Sequence, residues 1–264
     1  LILVLFFLGS FAQVKSQRVF THADTLRGSI TPERSWWNLL HYTLDITPDI
    51  EQKTIRGTVI VRFRAIKPAK RLQIDLQQPL VIDSVFQKIN NKWIRGTYTR
   101  DGNACFITLP LIPKIGIDQE LKIFYGGKPK EAVRAPWDGG LSWKKDAQGN
   151  PFVSTSCQGL GASVWWPCKD HQYDEPEHGV LIRVKTPDKL TNVSNGKLKE
   201  VITNADATKT WVWEVKNPIN NYSVSMNIGK YDLISDTYQG EKGQLPLNYY
   251  VLAYNRDSAI KQFV

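Results

Sequence analysis

Histidines are the first side chains to test for metal chemistry. The sequence has four of them: His22, His41, His171 and His178. None is followed by glutamate, so the helical H-E-x-x-H pair that offers two imidazoles to zinc on one face is absent from the sequence. Three carboxylates lie between the last two histidines, but the seven-residue gap and Pro176 do not suit regular ligand geometry. We predict a solvated loop there, and no metal-binding or catalytic residue in this chain.

Nucleophilic chemistry has no clear motif either. There is no G-x-S-x-G elbow. The three cysteines, Cys105, Cys157 and Cys168, are an odd number without C-x-x-C spacing, which argues against a zinc ribbon and against a disulfide framework. A Cys157–Cys168 bridge and two buried free thiols both remain open.

Residues 135–176 are dense in glycine, proline and tryptophan and form the segment least typical of strands. Long irregular segments of compact β domains often carry function or meet a partner. Trp137, Trp165 and Trp166 could form a platform for stacking sugars, or could pack the loop down. Asp174 and Glu175 could serve acid–base work on a glycoside, but adjacent carboxylates beside a proline more often cap turns.

The rest of the chain must supply the elements that position this segment. Short runs alternate between apolar and polar residues, with Gly, Pro and Asn between them, which is typical of antiparallel sheet. The runs are Leu40 to Ile46, Thr54 to Ala65, Leu72 to Leu76, Leu80 to Lys88, Lys92 to Tyr98, Cys105 to Leu109, Glu120 to Tyr125, Gly179 to Thr186, Lys197 to Thr203, Thr210 to Val215, Tyr222 to Ile234 and Leu247 to Tyr254. A helix capped by Asp257 or Ser258 is predicted to begin near Ala259.

Composition and charge exclude some classes of function. Apolar residues make up 42% and charged residues 22%, as in ordinary globular domains. The formal net charge is +9, but the densest basic run, Arg56 to Arg71, alternates with apolar residues, which indicates a solvated strand face. We therefore exclude nucleic acid as a partner.

The first eight residues are all apolar, and small residues follow at Ser10 and Ala12. This pattern predicts residues 1–12 to be the remnant of a signal peptide cleaved after Ala12. The run is shorter than the ~20 residues that span a bilayer. We therefore expect export to the periplasm or medium, and no stable membrane insertion.

One motif resembles a known family. Residues 157–170 read CQGLGASVWWPCKD and precede Tyr173-Asp174-Glu175-Pro176. This resembles the N-terminal domain of the gluzincin zinc aminopeptidases, the relatives of aminopeptidase N and leukotriene hydrolase. Further similar stretches occur in the family's order over residues 36–254: His41 to Ile46, Thr54 to Val59, Thr191 to Gly196, and Pro218 with Tyr222 to Gly229.

The resemblance implies an all-β, saddle-like antiparallel β-sandwich that closes one side of a peptidase cleft. In the family a Gln or Glu of this domain holds the α-ammonium group of the substrate, and that position matches Gln158. The loop from Gly159 through Leu160 and Gly161 to Ala162 would line the pocket for the first side chain. The G-x-M-E-N strand and the zinc helix are not in this sequence, whose only methionine is Met226. Zinc is therefore expected in a catalytic domain of the same polypeptide.

The resulting organisation is a signal-peptide remnant at 1–12, a polar lead-in at 13–35, the β domain at 36–254, and the start of a connection to the catalytic domain at 255–264. The expected partners are that catalytic domain and the N-terminus of a peptide substrate. Two alternatives are a carbohydrate-binding or adhesion sandwich and a stand-alone interaction domain.

Overall fold

The computed structural model describes residues 19–263, so the predicted signal-peptide remnant lies outside the described residues. Within residues 19–263 there are three α-helices: α1 (His22–Gly28), α2 (Pro32–Ser35) and α3 (Arg256–Phe263). The strands are β1 (Trp37–Asp49), β2 (Thr54–Ala65), β3 (Arg71–Asp75), β4 (Val81–Ile89), β5 (Lys92–Arg95), β6 (Thr97–Asp101), β7 (Ala104–Thr108), β8 (Asp118–Gly127), β9 (Gly140–Lys145), β10 (Pro151–Ser156), β11 (Val180–Pro187), β12 (Thr191–Ser194), β13 (Lys197–Thr203), β14 (Thr208–Val215), β15 (Met226–Gly229), β16 (Tyr231–Gly240) and β17 (Gly243–Leu252).

Eight strands form the main sheet, in the order β13-β14-β11-β1-β2-β8-β4-β5. All its neighbours are antiparallel except β1 and β11, which run parallel. Strand β2 shows why the sequence pattern works: Val59, Val61 and Phe63 are buried, while Arg62 and Arg64 point to the other face and keep partial contact with water. The solvated basic strand face is confirmed.

Two smaller sheets cover the apolar face of the main sheet. Their orders are β3-β7-β6 and β12-β15-β10-β9, and β16 pairs with β17 in a separate ribbon. A single cluster of buried side chains joins the three sheets, and in it the Tyr42 ring meets Trp166 edge-on at 4.8 Å. The prediction of an all-β sandwich is confirmed.

Several predicted elements differ in detail. The run from Lys92 to Tyr98 is not one strand, because it divides at Gly96 between two sheets. Strands β9 and β10 lie inside the segment that we expected to be irregular. The first four residues of β9 are all buried, so this strand lacks the alternation on which prediction depends. The predicted C-terminal helix is present and begins at Arg256.

The polar lead-in contains two helices that the sequence did not predict. Thr21 and Asp24 form a reciprocal capping box at the start of α1, and Pro32 occupies the first turn of α2. None of the side chains in α1 is buried, so its sequence carries no apolar periodicity. No helix among residues 19–263 has the length and apolar character needed to cross a membrane.

Of the two alternatives for Cys157 and Cys168, a bridge or free thiols, the structure has free thiols. All three cysteines are buried and unbridged. Burial raises the pKa of Cys105 to about 11 and that of Cys157 to about 12. These thiols are therefore protonated and poorly reactive at neutral pH.

We predict that protonation of His41 destabilises the domain in acid. Burial and the charges of Arg62 and His178 lower its pKa to about 4, against the partial opposition of Glu214. The unfolded chain binds this proton near pH 6.5, so stability should fall as the pH drops from about 6.5 toward 4. Between about pH 7 and pH 4.5, urea unfolding should show a loss about 2 kcal/mol larger for the wild type than for His41→Gln. As a control, Gln148→Asn changes an exposed residue that does not titrate and should keep the pH profile of the wild type. Identical pH profiles for wild type and His41→Gln would rule out this role.

Candidate functional site

The five predicted substrate-binding residues, Gln158 to Ala162, lie on one tight loop, residues 157–164, which we call the Gln158 loop. It begins after β10, where the carbonyl of Cys157 accepts hydrogen bonds from the amides of Leu160 (3.0 Å) and Gly161 (2.8 Å). Gly161 has φ +88°, and a Cβ atom there would lie 2.3 Å from a carboxylate oxygen of Asp170. Only glycine suits this position, for both conformational and steric reasons.

The Asp170 carboxylate fixes the far end of the Gln158 loop. Its oxygens accept hydrogen bonds from the amides of Ala162 (3.3 Å) and Ser163 (3.0 Å) and from the Ser163 hydroxyl (2.6 Å). These donors belong to the 3₁₀ turn Ala162–Val164. An acceptor is needed there because the first amides of a helical turn have no partner within it.

Gln77, which follows β3, fixes the middle of the loop. Its side-chain amide donates to the Leu160 carbonyl (2.6 Å) and to the Ser163 hydroxyl (3.0 Å). Its backbone amide donates to the Ser163 carbonyl at 2.8 Å. The three-stranded sheet therefore sets the position of the Gln158 loop.

A buried ion pair between Arg34 and Asp75 supports the contact between Gln77 and the Gln158 loop. The Arg34 guanidinium lies 2.6 Å from the Asp75 carboxylate, and both side chains are almost completely buried. Asp75 also accepts from Gln73 (2.8 Å) and from the backbone amide of Asp170 (3.1 Å). Burial raises the pKa of Asp75, while Arg34 and Gln73 oppose the rise. Arg34 also donates to three carbonyls at the C-terminal end of α1, those of Leu26, Arg27 and Ser29.

A second buried ion pair joins Lys169 to Asp174. The Lys169 ammonium also donates to the Trp37 carbonyl (2.8 Å) and lies 4.0 Å from the centre of the Trp37 ring. Burial lowers the pKa of Lys169 to about 8, with Asp174 opposing the shift. The backbone carbonyl of Lys169 accepts from Asn221 at 2.8 Å. Asp174 is thus buried and paired, which corrects our prediction of a solvated loop.

Gln158 itself is exposed at the turn of the loop. Its side-chain oxygen accepts a hydrogen bond of 2.7 Å from the Tyr222 hydroxyl. Tyr222 follows Asn221 in the 3₁₀ turn Asn221–Ser223, and not in a strand as predicted. The second lone pair of the Gln158 oxygen can still accept a donor from a ligand.

Gln158 lies in a cleft of about 690 Å³. Gly159 and Gly161 line the same cleft, together with residues 170–172 and 220–222 and with Phe20, Asp24, Arg27 and Gly28. Leu160 is instead half-buried and packs against the core, and the side chain of Ala162 is fully buried. The structure therefore brings three of the five predicted site residues into one cleft and places the other two beneath it.

Sequence reasoning did not select Tyr222, Gln77 or the α1 segment for this site. Tyr222 is separated from Gln158 by 64 residues, and no local pattern distinguishes it from other tyrosines. Of the two alternatives for the tryptophans, Trp165 and Trp166 follow the packing one, since both are fully buried, while Trp137 is exposed, at 79%. Among residues 19–263, no group of three His, Cys, Asp or Glu side chains is arranged to hold a metal ion.

Comparisons with known proteins point to one family. The model of the peptidase M1 N-terminal domain matches residues 38–223. The structure is similar to that of the M1 zinc metallopeptidase from Deinococcus radiodurans, with a TM-score of 0.67 and 19% identity over 84% of this chain and 48% of that one. A mutant of that enzyme bound to a Tyr-Ser-Ala substrate gives a TM-score of 0.68, with 20% identity over 86% of this chain and 51% of that one. The chain thus spans about half the length of these structures. At this low sequence identity, the similarity establishes the fold alone. Comparison with curated proteins gave no match.

We predict that the Arg34–Asp75 pair is a main support of the site. Asp75→Asn would leave a buried guanidinium without its counter-charge, at an expected cost of about 3–5 kcal/mol in the free energy of unfolding. Asp101→Asn is the matched control, because Asp101 pairs with His22 at an exposed position and should cost less than about 1 kcal/mol. Urea denaturation of both variants measures the difference. Equal losses of unfolding free energy in the two variants would show that the buried pair stabilises the domain no more than the exposed pair does.

Proposed function

Because the chain belongs to the peptidase M1 N-terminal domain family, we propose that it is the non-catalytic front domain of a zinc aminopeptidase and that Gln158 holds the α-ammonium group of the substrate. The family assignment agrees with the resemblance seen in residues 157–176. The rest of the proposal concerns a longer polypeptide that also carries a catalytic domain. Its reaction would be removal of N-terminal residues from peptides.

The proposal rests on the exposure and the hydrogen bonding of the Gln158 side chain. It is exposed in the cleft, while its oxygen is oriented by the Tyr222 hydroxyl at 2.7 Å. A hydroxyl that donates to an amide identifies the oxygen end of that amide and holds it in place. An ammonium group supplies N–H donors, and a hydrogen bond from such a charged donor contributes about 1.5–3 kcal/mol.

The loop is suited to this role because its backbone is fixed before a ligand arrives. Asp170 and Gln77 hold it on both sides of Gly161, so little order has to be created on binding. Gly159 has φ +71°, and a Cβ atom there would meet nothing within 4 Å. The open space at Gly159 leaves room for a substrate to approach the backbone.

Zinc chemistry belongs, in this proposal, to the catalytic domain. Within residues 19–263 no group of three or more His, Cys, Asp or Glu side chains is arranged to hold a metal ion. The contribution of this chain would be to bind the amine and to close one side of the cleft. Export to the periplasm or medium, which was inferred from residues 1–12, stays a prediction.

We predict that Gln158→Ala in the full-length enzyme lowers kcat/KM for peptides with a free N-terminus by roughly tenfold to a hundredfold. Gln158→Glu should retain or improve kcat/KM, because a carboxylate meets the ammonium group better. Tyr222→Phe should cost about three- to tenfold, since it removes the orienting hydrogen bond but leaves the amide. Steady-state kinetics with an aminoacyl anilide measures all three.

Gln148→Ala is the control, because Gln148 is an exposed glutamine on another turn and should leave kcat/KM unchanged. Melting temperature and zinc content should match the wild type in every variant. If Gln158→Ala stays within twofold of the wild type while folded and metallated, the assignment of Gln158 is wrong.

We further predict that this chain alone binds no stoichiometric zinc and hydrolyses no aminoacyl anilide. The reason is that its sequence has no H-E-x-x-H pair to supply the ligands. Metal analysis after gel filtration and a chelator-controlled activity assay would test this. One equivalent of zinc, together with chelator-sensitive hydrolysis, would contradict it.

A further inference from the structure

One exposed surface far from the cleft is unusually apolar. Five large aliphatic side chains lie there with 51–58% of their surface open to solvent: Ile66, Leu111, Ile112, Ile115 and Ile117. We call these five residues the aliphatic surface. Single exposed aliphatic residues are common, but a group of them on one surface is typical of an interaction site.

Four of the five residues belong to one loop, residues 111–117, and hydrogen bonds fix this loop and join it to Ile66. The Gly116 amide donates to the Ala65 carbonyl at 2.9 Å, which places Ile115 and Ile117 beside Ile66. Ile66 is itself held by the Trp36 carbonyl at 2.8 Å. The Leu111 amide donates to the Gln87 side chain at 3.0 Å, and Pro113 is buried. The surface is therefore ordered in advance, which reduces the entropy lost when it is covered.

Three lysines lie close to the aliphatic surface. Lys67 and Lys114 adjoin it in sequence, and Lys70 lies beside the start of the same loop, because its carbonyl accepts from the Leu109 amide at 2.9 Å. All three lysines are exposed, and none forms a side-chain ion pair within residues 19–263. The nearby carboxylate of Asp118 is neutralised by Arg64 at 2.7 Å.

This combination fits a lipid surface better than a protein partner. The cores of protein interfaces are enriched in aromatic residues and methionine, and the aliphatic surface contains neither. The aliphatic surface has isoleucine and leucine, with lysines close to it. Aliphatic side chains can enter the boundary between headgroups and acyl chains, and each lysine near an anionic leaflet adds attraction.

The aliphatic surface and the Gln158 loop lie at opposite ends of the same part of the fold. Lys70 precedes β3 and contacts the segment that leads to the aliphatic surface, while Gln77 follows β3 and holds the Gln158 loop. At about 3.3 Å per residue the two ends are roughly 20 Å apart. A partner on the aliphatic surface would therefore leave the cleft accessible.

We propose that the aliphatic surface and its three lysines dock this domain peripherally on an anionic lipid surface. Cosedimentation of the chain with vesicles of mixed phosphatidylglycerol and phosphatidylcholine should show binding, and vesicles of phosphatidylcholine alone should bind much less. Ile112→Ser together with Ile115→Ser should lower the partition coefficient by at least about tenfold. Lys67→Gln and Lys114→Gln should each lower it about fivefold, an effect that added salt should remove.

The matched control combines Val133→Ser with Lys189→Gln, which makes the same kinds of change at exposed positions elsewhere and should leave binding unchanged. Absence of vesicle binding, or equal binding by control and test variants, would overturn the proposal. Vesicle binding that disappears in a polypeptide carrying the catalytic domain would also overturn it, because the aliphatic surface would then be covered by protein. None of these three results depends on the role of Gln158.

Discussion

The Asp75 carboxylate is removed from water and lies among donors that come from three separate parts of the chain. Arg34 reaches it from α2, Gln73 from its own strand, and the backbone amide of Asp170 from the segment after the Gln158 loop. Moving such a charge out of water is costly, and the cost is recovered only when all these partners are in place. The arrangement is therefore cooperative: helix, sheet and loop must adopt their native positions together.

This constraint reaches the candidate site through a short series of contacts. Asp75 fixes Asp170, and Asp170 fixes the turn that begins at Ala162. On the other side Lys169, held by Asp174, fixes Asn221 and hence the neighbouring Tyr222. Gln158 is thus placed between two segments that are each anchored to a buried ion pair. A flexible, exposed side chain gains a defined orientation in this way without being buried itself.

The two surfaces that we connect with function differ in how they are built. The cleft is lined by residues from several segments that are distant in sequence, so it exists only in the folded domain. The aliphatic surface comes mostly from one loop of seven residues. The rest of the fold contributes the hydrogen bonds that fix the conformation of this loop. A domain with both could present a substrate cleft at one end while a lipid surface occupies the other.

The fold class and the family can both be inferred from the residues alone. Strands such as β2 are buried on one face only, so their alternation is visible in the residues. The motif from Cys157 to Pro176 is contiguous, and for that reason Gln158 could be named as a candidate. Local pattern failed for β9, which is buried on both faces, and for α1, which buries no side chain.

The surroundings of Gln158, by contrast, depend on how distant segments pack together. The pairing of Tyr222 with Gln158, of Arg34 with Asp75, and of Gln77 with the loop joins residues separated by 41 to 86 positions. Such contacts depend on sheet topology, which brings distant segments together without leaving a mark on the residues near either one. The burial of Trp165 and Trp166 also depends on tertiary packing. An aromatic ring fills the core or stays free to bind a ligand according to what packs against it.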